Sequence, residues 1–186
     1  MPPKPIIDKN NVMEAAIQLV REKGMDSINA RSLAKILGCS TRPLFRIYPN
    51  MNELKKDVKV ELDRYYNTFM ENRIDSENRL LSQGIAYIEF ARREKMIFNA
   101  LFMSMTMAGS SLQDIIHADW NRASIENVKK ITGLSTSESE MVFINCWLFS
   151  HGIATQLVSN DISISFDKVT ELMTNAFKKF SMDSGE

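Results

Sequence analysis

Apolar residues recur at helical spacing along nearly the whole chain. Val12, Ala15, Ala16, Leu19 and Val20 follow i, i+3, i+4, i+7, i+8, one face of a first helix, with Asp8 as its N-cap and Gly24 just past its end. Leu33, Ala34 and Leu37 line a short second helix, capped by Asn29 and stopped at Gly38, where a sharp turn wants a positive φ. Ser40 then caps a third helix. Pro43 falls in its first turn, where the missing N–H is one that every helix leaves unpaired. Leu44, Ile47 and Tyr48 share the inner face, and Thr41, Arg42, Phe45 and Arg46 share the outer one. A short helix, a tight turn and a second short helix make a helix-turn-helix.

The rest of the chain keeps the same period. Leu54, Val58, Leu62, Tyr65 and Phe69 mark a long connecting helix over 51–72. Further helices are predicted at about 76–93, 95–106, 111–131, 136–158 and 166–181, separated by Gly109-Ser110, Gly133 and the polar stretch SNDISIS. Ser135 and Glu138 have the spacing of a capping box, and Ser165 precedes the periodic Phe166, Val169, Leu172, Met173, Ala176, Phe177 and Phe180. The predicted class is all-α: a three-helix head joined by a long helix to a C-terminal helical bundle, about nine helices in all. The expected division is 1–50 for the head, with the start of the connecting helix to about 60, and 51–186 for the bundle.

Composition narrows the class. The chain has 186 residues, 44% of them hydrophobic, ample for a core. The N-terminal MPPKPIIDKN lacks the apolar region of a signal peptide, and no run approaches the ~18 apolar residues of a membrane span, so a cytoplasmic protein with no membrane partner is expected. Cys39 and Cys146 stand far apart with no CxxC or His/Cys cluster, which points to reduced thiols rather than a disulfide or a metal site. Charge is unevenly placed. Residues 1–60 carry eleven Lys and Arg against six Asp and Glu, a net +5, and the remainder carry twelve against seventeen, a net −5. A basic head on an acidic body points to a polyanion partner for the head.

The outer face of the third helix has the chemistry for that partner. At the N-terminal end of a helix lying in the major groove, Arg42 can grip guanine O6 and N7, and Thr41 can meet a thymine methyl or a base-edge acceptor. Arg46, one turn on, is placed for phosphate.

The segment VMEAAIQLVREKGMDSINARSLAKILGCSTRPLFRIYPNMNELKKDV resembles the DNA-binding head of the TetR family of bacterial one-component transcriptional regulators. The match covers roughly residues 8–60 and rests on Ala15-Ala16, Gly24, Leu33-Ala34, Gly38, Ser40, Leu44 and Glu53-Leu54. In CWLFSHG, the residues Trp147, His151 and Gly152 resemble the motif of the WHG-type TetR C-terminal domain. The resemblance implies a homodimer through the last two helices, two heads reading successive major grooves of a pseudo-palindromic operator, and a C-terminal ligand-binding and dimerisation bundle whose small-molecule effector releases the DNA. It places Arg31, Ser40, Thr41, Arg42, Phe45, Arg46 and Lys55 at the DNA, with Arg46 where a phosphate-contacting His is usual. Phe45 departs from the usual Tyr and cannot donate to phosphate, and Pro49 and Met51 replace commonly polar or basic residues.

Two segments are candidates for the effector chamber. MIFNALFMSMTMAG concentrates Met96, Phe98, Phe102, Met103, Met105 and Met107, and the soft thioether of methionine suits either an adaptable pocket or plain core. Trp120, Phe143, Trp147 and His151 can complete a mostly apolar cavity, and the scarcity of charge there points to an apolar or weakly polar ligand. His151 can make a structural hydrogen bond, touch a ligand, or bind metal or catalyse. His117 and Asp119, two apart, lie on different helix faces and make a poor metal pair. With no GxSxG, HExxH or GxxxxGK[ST], neither an enzyme nor a cofactor is expected, and the competing class is a helical protein–protein adaptor that binds no DNA.

Overall fold

Every element among the described residues, 7–103 and 111–183 of a computed structural model, is helical. In order they are α1 (Lys9–Lys23), a 3-10 turn (Met25–Ser27), α2 (Ala30–Ile36), α3 (Thr41–Ile47), α4 (Met51–Glu71), α5 (Arg79–Arg93), α6 (Lys95–Phe98) running into a π-helical turn (Asn99–Met103), α7 (Leu112–Ile116), α8 (Asp119–Thr132), α9 (Thr136–Ser159) and α10 (Phe166–Asp183). The all-α class is as expected from the sequence. Among the described residues ten helices rather than about nine appear, because the stretch expected as one helix at 111–131 breaks at His117 and Ala118. Ala118 is extended, and the buried Asn121 side chain donates to the Ile115 carbonyl at 2.7 Å, alongside the Ala118 N–H at 3.4 Å. The helix expected at 95–106 is α-helical only to Phe98 and π-helical to Met103. The break expected at Gly109-Ser110 lies outside the described residues.

Most local signals act as the sequence indicates. Asp8 and Asn11 exchange backbone and side-chain hydrogen bonds in a capping box, as do Ser135 and Glu138. Asn29 Oδ1 accepts from the N–H groups of Arg31 and Ser32 at 3.1 and 3.0 Å. Ser40 sits at the N-cap of α3 with extended backbone but makes no capping bond.

Two compact units divide the chain. The first gathers the described residues up to Tyr66 together with those from Met96 to Met103; the second takes Asn67 to Lys95 and the residues from Ser111 on. In the first, Val12, Ala16 and Val20 of α1, Leu33 of α2, Leu44 of α3 and Leu54, Val58 and Leu62 of α4 have no exposed surface. Each buried Val or Leu contributes roughly 1.5–3 kcal/mol and Ala16 less, so this unit has a core of its own. In the second, α9 packs against α5, α8 and α10. One cluster joins Leu80, Ile125, Val128, Val142, Phe143 and Cys146, and another joins Ile88, Ile153, Leu157, Val169 and Met173.

At 24 residues, α9 is long and apolar enough to cross a membrane by length and composition. In the fold it packs against α5, α8 and α10: Ser139, Val142, Phe143, Cys146, Ser150, Ile153, Ala154 and Leu157 are buried, while the apolar Met141 and Leu148 stand exposed, so its two sides differ little in polarity.

Candidate nucleic-acid interface

The turn between α2 and α3 is built from backbone hydrogen bonds. Cys39 N–H donates to Ala34 O at 3.0 Å and Gly38 N–H to Lys35 O at 3.4 Å, the paired closure of a Schellman motif. Gly38 stands at the left-handed position with φ +60°, and a Cβ there would meet no atom within 4 Å. Only the backbone conformation asks for glycine. Gly38→Ala is therefore expected to cost about 1–2 kcal/mol, read as a lower denaturant midpoint at unchanged m.

From that turn α3 presents two different faces. Leu44 is fully buried, Tyr48 is 3% exposed and Ile47 is half-buried. On the other side Arg42, Phe45 and Arg46 are exposed, and Thr41 is half-buried at the first position. Pro43 is the third residue of α3, within the first turn. Arg31 at the start of α2 and Ser40 are exposed, and Lys55 on α4 is half-buried. Among the described residues Arg31, Arg42, Arg46 and Lys55 form no ion pair, whereas Lys9 and Lys56 of the same unit pair with Asp57 and Glu53. Among the described residues the guanidinium donors of α3 are thus uncommitted to any acidic side chain, and a guanidinium suits planar acceptors and phosphate.

Two features beyond the end of α3 were not legible in the sequence. Tyr48 ends the helix and donates its hydroxyl to Asp57 Oδ2 at 3.2 Å, and Lys9 Nζ reaches the same oxygen at 2.8 Å. The Lys9 hydrogen bond holds the Asp57 carboxyl below its ordinary value, while burial pushes the Tyr48 phenol up. Asn50 caps α4, accepting from Glu53 N–H at 3.0 Å. Helical periodicity marks Tyr48 as core and says nothing of where its hydroxyl goes.

The residues expected at an effector chamber belong to both units. Phe98, fully buried, and Phe102, half-buried, belong to the first unit, where Phe102 meets Tyr66 edge-on at 4.9 Å. Met103 is 37% exposed, and Met107 lies outside the described residues. In the second unit Phe143 is buried in the core, with Trp147 packed against it. Trp147 stacks on His151 at 6.2 Å, and His151 Nδ1 shares a 2.9 Å hydrogen bond with the Tyr87 hydroxyl. Burial lowers the His151 pKa from 6.5, so acidification through that value favours the unfolded chain, which takes up the proton first. Trp120, by contrast, is 73% exposed. A groove of about 390 Å³ between α1 and α4, lined by Ile17, Arg21, Glu61, Leu62 and Tyr65 among others, contains none of these residues. No group of three or more His, Cys, Asp or Glu able to hold a metal occurs among the described residues.

No family model matches the sequence, and no curated protein matches it. Solved structures do. A TetR-family transcriptional regulator from Streptomyces coelicolor has a TM-score of 0.58 at 17% identity, over 92% of this chain and 77% of that one. A TetR variant from Acinetobacter baumannii AYE in complex with minocycline has a TM-score of 0.52 at 16% identity, over 96% and 99% of the two chains. At such identities the likeness is one of fold: this chain has the all-helical fold of solved TetR-family regulators.

Proposed function

We propose that the chain is a DNA-binding transcriptional regulator, a repressor that holds a pseudo-palindromic operator in the cytoplasm as a homodimer and releases it when a small apolar or weakly polar ligand binds. The observation that carries this reading is α3 itself. Its back is buried, while Arg42, Phe45 and Arg46 stand exposed, the two arginines uncommitted to any described acidic residue. In this reading residues 1–50 are the reader, with Arg31, Ser40, Thr41 and Lys55 beside the α3 pair, and 51–186 respond and dimerise. The minocycline held by the Acinetobacter neighbour supports a small-molecule effector for this fold.

A gel shift with the DNA upstream of the chain's own coding sequence, at stated salt and with excess non-specific competitor, tests the reading. A competitor-resistant complex, dispersed by a compound found in a release screen, is expected. A protein–protein adaptor would retard no DNA.

Assembly is tested separately. Met141 and Leu148 of α9 and Met182 of α10 are 52%, 48% and 73% exposed, apolar surface available to a second copy. Sedimentation is expected to give a dimer at micromolar concentration. A monomer both with and without DNA would rule out the two-headed reader.

A further inference from the structure

Three helices meet at the C-terminal end of α3. Asp57 of α4 accepts on one carboxylate oxygen from both the Tyr48 hydroxyl at 3.2 Å and the Lys9 ammonium of α1 at 2.8 Å. The same ammonium lies 5.4 Å from the centre of the Tyr48 ring. Tyr48 has already left helical conformation, at φ −121° and ψ 117°, yet its N–H still bonds Leu44 O at 2.9 Å and its ring is buried.

Magnitudes decide what this junction is for. The Lys9 and Asp57 side chains are 64% and 41% exposed, and an ion pair in such a setting adds little to stability. Direction is another matter. A helix of seven residues does not hold its own course in water; the buried Leu44 seats it on the core, and what fixes its two ends sets the angle at which it lies there. The Gly38 turn fixes one. The Tyr48 junction fixes the other.

We propose that Asp57 is a positioning residue for DNA reading: by holding the Tyr48 hydroxyl and the Lys9 ammonium on one carboxylate, it sets the angle at which α3 presents Arg42 and Arg46. This role rests on the DNA-reading function proposed above. Asp57 touches no DNA in it and acts through Tyr48.

Electrostatics gives the competing explanation the opposite sign. Asp57 is an anion within a basic head, so if it were merely a charge, its removal would tighten binding to any DNA. A positioning role predicts that removal weakens binding to the operator while leaving non-specific binding unchanged or tighter.

The test measures operator and scrambled-duplex affinity at one salt concentration, together with amide hydrogen exchange on the free full-length chain. Asp57→Ala is expected to bind operator roughly two- to tenfold more weakly, the range for losing the pre-ordering of one or two side chains. Scrambled DNA should show no loss, and the Tyr48 amide should exchange faster at nearly unchanged melting temperature. Tyr48→Phe keeps the buried ring and removes only the hydroxyl, so it should move operator affinity in the same direction by less, while Asp57→Glu should restore part of the loss. Operator affinity equal to or above wild type in both Asp57→Ala and Tyr48→Phe, with unchanged exchange at Tyr48, would overturn the role. Should Asp57→Ala fail to fold, Tyr48→Phe alone decides the matter by the same two readouts. A wild-type chain that retards no DNA would sink the DNA-reading function, and this role with it, and is seen in a different lane from the failure of Asp57 alone.

Discussion

Phe143→Ala is expected to destabilise the C-terminal unit by about 3–5 kcal/mol, the cost of losing a large buried aromatic and leaving a cavity in its place. Phe143 is 1% exposed, among Val142 and Cys146 of α9 itself, Leu80 of α5, Ile116 of α7, and Ile125 and Val128 of α8. With so many neighbours fixed on separate helices, the site has little freedom to collapse, which places the loss in the upper part of the range for core truncations. Trp120 and Trp147, the chain's two tryptophans, both belong to this unit, so urea unfolding followed by tryptophan fluorescence reports on it directly. A loss below about 1 kcal/mol, with effector response blunted, would instead mark Phe143 as the wall of an open chamber.

The two arginines of α3 are expected to fail in different ways. Arg42 lies in the first turn and Arg46 one turn further along the same exposed face. Arg42→Ala should cost about 1–3 kcal/mol on the operator and relax base preference at one position per half-site, as the loss of a bidentate base contact does. Arg46→Ala should weaken operator and scrambled DNA alike. Removing one phosphate contact per subunit also releases fewer counterions, so the slope of log K against log salt should flatten by about one unit per subunit, and Arg42→Ala should leave it nearly unchanged. Equal losses on scrambled and operator DNA for Arg42→Ala, with an unaltered salt slope for Arg46→Ala, would mean that α3 enters the groove at another angle. Phe45, 49% exposed and without a hydroxyl, has only apolar contact to offer between them.

Local sequence determined much of this protein. Helix period, caps and stops are short-range properties: Asp8, Asn29 and Ser135 cap where the pattern places them, and Gly24, Gly38 and Gly133 all adopt the positive φ that a stop or turn requires. The outward Arg42, Phe45 and Arg46 were legible for the same reason, because one helix turn fixes which side chains share a face.

What only the tertiary structure decided involves partners distant in the chain. The break between α7 and α8 carries no proline or glycine and is upheld by the buried Asn121 amide on a carbonyl of the preceding helix. Among the residues singled out for a chamber, Phe98 and Phe143 proved fully packed and Trp120 exposed, since periodicity gives a side chain's face but not what covers that face. The junction of Lys9, Tyr48 and Asp57 spans 48 positions and three helices, and no spacing rule encodes it. Hydrogen bonds and packing between elements depend on how helices meet in space, and a one-dimensional pattern carries only the turns within each helix.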